Sequence, residues 1–90
     1  MNDETIETKR KRLHMRSIRR GIKEMDLILT DFATAHLATM SEAELDLYDA
    51  LLSENDHDLY QWVSGQTAEP EIYVTVMDKI RAGAVGVTKP

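Results

Sequence analysis

The sequence contains no cysteine in 90 residues, so disulfide staples and thiolate-held metals are both excluded. It has no apolar run approaching the roughly 18 residues a membrane-crossing helix requires. Its basic cluster runs from Lys9 to Arg12 into Leu13, His14, Met15 and Arg16, without the apolar stretch of a signal peptide. The expected compartment is the cytoplasm, or a mitochondrial matrix if a targeting segment has been removed. Glycine is scarce, with four scattered residues, which leaves no loop able to cradle a phosphate. The histidines His14, His36 and His57 fall on three different predicted helices. None has a second ligand three or four residues away, so no metal site is expected, and His36 reads as a core-edge residue. No serine lies in a nucleophile elbow. With no catalytic constellation in the chain, a binding role is expected rather than an enzymatic one.

What is present suits one small folded domain. The hydrophobic fraction is 42%, which is too high for a disordered chain. At this length only about 60–65% of the unfolded surface can be buried, so the core must be modest. The net charge is −5, but it is unevenly divided. Residues 1–23 hold eight bases against three acids, about +5, and the other 67 residues hold three bases against 13 acids, about −10. A basic arm on an acidic body fits either an acidic partner or a helix that balances its own domain. The body acids, among them Asp46, Asp49, Asp56 and Asp58, read most simply as a solvated face.

Five helices are expected, making an all-α bundle with its core over about 5–82 and a flexible tail over 83–90. The first spans about Thr5 to Arg19, with Ile6, Leu13 and Ile18 as its thin apolar content. Arg16, Arg19 and Arg20 near its end suit the helix dipole, and Gly21 reads as a C′ glycine of positive φ. The second spans about Ile22 to Thr39, with Met25, Ile28, Leu29, Phe32, Ala35 and His36 on one face. The third begins at Ser41, which forms a capping box with Glu44, and Met40 and Leu45 make a hydrophobic staple. Its stripe is Leu45, Tyr48 and Leu52, with Leu51 beside it. The fourth is capped by Asn55 or Asp56, carries Leu59, Trp62 and Val63, and stops at Gly65. The fifth starts near Pro70, lines its inner face with Ile72, Tyr73, Val76, Met77 and Ile80, and ends at Gly83. The run 72–76 is also rich in β-branched residues, but a lone strand would lack a partner, so helix is preferred.

One segment stands apart: Arg19-Arg20-Gly21-Ile22-Lys23-Glu24 gathers two guanidiniums, a glycine and a carboxylate around one inter-helix turn. A purely structural explanation is available. In it Gly21 makes the turn, the arginines neutralise a helix end, and Glu24 caps the next helix. A contact role is also open, since glycine lets two backbones approach and arginines bind carboxylates bidentately, but the residues alone favour the structural explanation.

Arg20-Gly21-x-x-Glu24 resembles the RGxxE motif of the succinate dehydrogenase flavinylation factors, whose bacterial members are called SdhE. The similarity continues through Phe32-Ala33-x-x-His36-Leu37, Leu45-x-Leu47-Tyr48-x-x-Leu51-Leu52, Asp58-Leu59-Tyr60-x-Trp62 and Glu69-Pro70-Glu71-Ile72, covering roughly residues 11–82. The resemblance implies a monomeric five-helix assembly factor that binds the free flavoprotein subunit of succinate dehydrogenase, or in some bacteria of fumarate reductase. It implies that FAD becomes attached to a histidine of that client, that the factor keeps no stably bound cofactor, and that Arg19, Arg20, Gly21 and Glu24 contact the partner. The alternative is a small helical nucleic-acid binder using Lys9 to Arg20. Against it, the body carries about −10 and no recognition-helix pattern follows the arm. An anchoring helix on an acidic membrane would need a fuller apolar face than the first helix has.

Overall fold

Each apolar stripe closes as a helix, and a computed structural model describes residues 4–84. The helices are α1 (Ile6–Ser17), α2 (Lys23–His36), α3 (Glu42–Leu52), α4 (Asp56–Ser64) and α5 (Val74–Gly83). Short 3₁₀ turns, Leu37–Thr39 and Glu71–Tyr73, follow α2 and precede α5. No strand forms among the described residues, and residues 72–76 are helical. Helices α1 and α2 form an antiparallel hairpin, α3 packs across α1, and α5 packs on α2 and α4. Phe32, Tyr48, Leu52, Leu59 and Trp62 are all buried as expected. Phe32 packs tilted against Tyr48 at 5.2 Å between ring centroids, joining α2 to α3.

The local start and stop signals work through neighbours in sequence. The Ser41 side chain accepts from the Glu44 amide, and the Glu44 carboxylate accepts from the Ser41 amide at 2.8 Å. Asn55 caps α4 by accepting from the His57 amide, and Gly65 stops that helix at φ 83°. Thr5 caps α1.

Four expectations are corrected. Helix α1 ends at Ser17, two residues before Arg19, because the chain turns extended at Ile18. Of its three leading apolar residues only Leu13 reaches the core, while Ile6 is exposed and Ile18 half-buried. Ala35 and Ile72 are exposed: Ala35 lies at the rim of the buried face of α2, and Ile72 lies in the 3₁₀ turn, whose tighter winding turns it outward. Ala84, placed in the tail by sequence, is buried against the core, and residues 85–90 lie outside the described residues.

Candidate partner-binding site

The basic arm is largely consumed inside the domain. Lys9 donates to Asp46 at 2.5 Å and lies 3.5 Å from Glu42. Arg12 spans Glu4 and Asp49, with contacts of 2.8–3.2 Å. Arg16 also pairs with Asp49 and donates to Ser53 Oγ at 3.0 Å. Arg20 reaches Asp56. These bases recur every three or four residues, so they line one face of α1 and continue into the turn, against α3 and the start of α4. Arg10 turns the other way and donates to the carbonyls of Leu37 and Met40 at 2.8 and 3.1 Å, where α2 ends. Asp46, Asp49 and Asp56 are therefore paired rather than merely solvated. Burial opposes the charge of Asp49, but Arg12 and Arg16 together outweigh it and hold its carboxyl below the ordinary 3.8. The hydrogen bond from Lys9 to Asp46 raises the Lys9 ammonium above its usual value.

Of the eight N-terminal bases, only Lys11, Arg19 and Lys23 are exposed with no side-chain partner among the described residues. Two of these flank the turn between α1 and α2. Backbone strain sits there as well, at Arg19 and not at Gly21: Arg19 has φ 56°, the left-handed region that costs a non-glycine residue about 1–2 kcal/mol. The reason is local. Asp26, in the first turns of α2, accepts the Arg19 amide at 3.0 Å and draws that residue round.

Arg20 and Gly21 are held by one carboxylate. Asp56 Oδ1 accepts from Arg20 Nε at 2.9 Å and lies 2.8 Å from Nη2, while Oδ2 accepts the Gly21 amide at 2.6 Å. The same guanidinium donates to the carbonyls of Arg16 at 2.9 Å and Leu52 at 3.1 Å. Its side chain is 13% exposed and that of Asp56 17%, so this is a mostly desolvated pair. A Cβ at Gly21 would lie 3.2 Å from Asp56 Oδ2, so a side chain here would make that carboxylate give by a few tenths of an ångström; the pressure for glycine comes from Asp56 and not from φ.

The four expected contact residues thus separate. Arg19, Gly21 and Glu24 are exposed around one turn, whereas Arg20 points inward and is held by Asp56 and two backbone carbonyls. Glu24 lies in the first turn of α2, whose N-cap, Ile22, has no side-chain cap, and Glu24 has no partner among the described residues. It neither caps the helix nor orients Arg20. One turn further along α2, Leu27 is 51% exposed beside it. Arg16, Ile18, Arg19, Arg20, Gly21 and Asp56 line an open depression at this end of the bundle. Sequence alone leaves Asp26 unmarked and reads Asp56 as a solvated acid or a cap of α4, although the +5 and −10 division of charge was the signal that the arm could be met from within.

No group of three or more histidines and carboxylates among the described residues is arranged to hold a metal. No helix among them is long and apolar enough to cross a membrane. His36 is half-buried, 4.7 Å from the Phe32 ring centroid.

The sequence pattern of the family described as "Flavinator of succinate dehydrogenase" matches residues 11–84. Three similar proteins all carry the name "Succinate dehydrogenase assembly factor 2, mitochondrial". The Candida glabrata protein is 53% identical over 62 residues, which is 69% of this chain and 40% of that protein. The Meyerozyma guilliermondii protein is 51% identical over 61 residues, or 68% and 45%. The Danio rerio protein is 42% identical over 81 residues, or 87% and 51%. The chain spans about half, or less, of the length of these relatives.

Proposed function

The chain belongs to the succinate dehydrogenase flavinator family, and from that premise we propose that it is an assembly factor that binds the free flavoprotein subunit of succinate dehydrogenase and promotes its covalent attachment to FAD. The observation that carries this is the turn at 19–24. Most of the basic arm is spent on internal partners, yet Arg19, Gly21 and Glu24 stay exposed at the family motif. An exposed base, a backbone without a side chain, and an exposed acid can meet a carboxylate, a close backbone and a base of the client.

The factor acts without turning over a substrate. FAD is the client's cofactor, and the flavin and the client's histidine supply the bond-forming chemistry. The factor contributes a difference in affinity between client conformations. Turning a client that is competent 1% of the time into one competent 99% of the time requires a preference of about 10⁴-fold, or roughly 5.5 kcal/mol. A fumarate reductase flavoprotein presents the same class of client. The core closes within one chain, which supports a monomer that pairs one-to-one with its client. The mitochondrial names of the relatives support the matrix over the cytoplasm as the compartment.

The test is to delete the gene and follow the flavoprotein by immunoblot and in-gel flavin fluorescence. The subunit should be present but weakly fluorescent, with recovery by the wild-type chain and not by Glu24→Ala or Gly21→Arg. Full flavin attachment in the deletion strain would refute the assignment. The nucleic-acid alternative has no observation in its favour, because four of the bases it needs, Lys9, Arg12, Arg16 and Arg20, are paired with Asp46, Asp49 and Asp56. The chain should therefore flow through a heparin column at low salt.

A further inference from the structure

We infer that Asp56 is a positioning residue for the partner-binding turn: from the start of α4 it locks Arg20 and Gly21, and so presents Arg19 and Glu24 in their binding arrangement. This rests on the assignment of that turn as the client contact.

Apart from Asp26, which accepts the Arg19 amide at 3.0 Å, the turn has little else to hold it. Residues 18–22 lie outside both helices, Arg19 is in a strained left-handed conformation, and α2 starts without a side-chain cap. Against this stands one carboxylate with both oxygens committed to the turn. Oδ1 takes the Arg20 guanidinium and Oδ2 takes the Gly21 amide at 2.6 Å. Arg20 extends the lock to the last turn of α1 through the Arg16 carbonyl and to α3 through the Leu52 carbonyl. Three helices and the turn therefore meet at one ion pair. The guanidinium of the motif is a strut, and the exposed contacts lie on either side of it. Glycine fits the same scheme, since a side chain at 21 would press on the oxygen that fixes its own amide.

An unlocked turn would sample many arrangements, and its apparent affinity would fall by the fraction of time it spends in the right one. Asp56→Asn is the informative change. Both partners of Asp56 are donors, so the new amide nitrogen must face a donor on one side, while the Asn55 cap of α4 remains intact. Glu69→Gln is the control. It breaks a comparable ion pair with Arg81 (2.9 Å) in the segment before α5.

Binding to purified, FAD-free flavoprotein subunit is measured by titration calorimetry, at a temperature where all variants are fully folded. Amide hydrogen exchange is measured on the free proteins. Asp56→Asn should weaken binding at least tenfold and speed exchange at Gly21 and Ile22, with α3 and α5 unchanged. Glu69→Gln should lower the melting temperature and bind within twofold of wild type. If wild type binds and Asp56→Asn binds equally well, or the Gly21 amide exchanges no faster, Asp56 does not position the turn. If wild type itself fails to bind, the client assignment falls, and this inference with it.

Discussion

Ser17 and Tyr48 form a buried hydroxyl pair whose two partners should be unequal in cost to remove. Ser17 is the last residue of α1, fully buried, and its Oγ donates to the Leu13 carbonyl at 2.8 Å. A serine has one proton, so the 2.6 Å contact between Ser17 Oγ and Tyr48 Oη must use the tyrosine proton. Tyr48 is then the donor, and Ser17 is its acceptor. Tyr48→Phe removes a donor and leaves Ser17 still bonded to Leu13, a loss of about 1 kcal/mol. Ser17→Ala strands a buried phenol proton, which costs about 1–3 kcal/mol, near 2 for a site this enclosed. In the double variant both ends are gone, so its cost should fall at least 1 kcal/mol short of the sum. For a domain of this size about 1 kcal/mol moves the midpoint by roughly 4–8 °C. The assay is thermal and urea unfolding of the four proteins, followed by circular dichroism. Equal and additive single effects would show that the assigned donor is wrong. The same pair adds an alkaline signature. Burial pushes the Tyr48 phenol up to about 12 against an ordinary 10, so the folded state holds that proton more tightly than the unfolded one. Its contribution is complete below pH 10 and lost as pH rises towards 12, and Tyr48→Phe should remove that part of the alkaline decline.

Two further predictions concern separate parts of the bundle. Gly65→Ala meets open space at φ 83°, so its cost is backbone strain alone, about 1–2 kcal/mol, read as a lower urea midpoint with unchanged slope. At the acid end, Glu69 is held below 4.5 by its hydrogen bond to Arg81, and Asp49 below 3.8 by Arg12 and Arg16 despite its burial. Their stabilisation is full above those ordinary values and lost as pH falls through the depressed ones; Asp49→Asn with Glu69→Gln should lower stability at pH 7 and flatten the acid limb of a stability-versus-pH curve.

The elements whose instructions lie within one helical turn were legible in the sequence. Ser41 and Glu44 cap α3 by reaching three residues, Gly65 stops α4 by its own freedom, and five stripes at helical spacing describe five helices. Residues at those separations meet whatever the rest of the chain does. The motif around Gly21 was equally visible, and with it the family. The identity of the turn's groups was legible, but not which of them face outward. Asp56 lies 36 residues from Arg20, and Asp49 lies 33 and 37 residues from Arg16 and Arg12. No local rule relates positions so far apart, because their meeting depends on how α1 crosses α3 and where α4 begins. Composition could set +5 beside −10 without saying whether the charges face each other or a partner. The packing of the helices decided that Arg20 is a strut, that Arg19 carries the strain assigned to Gly21, and that Glu24 is left exposed. Backbone strain at one residue and pairing of charges across the bundle are properties of the assembled core, which the linear order of residues does not contain.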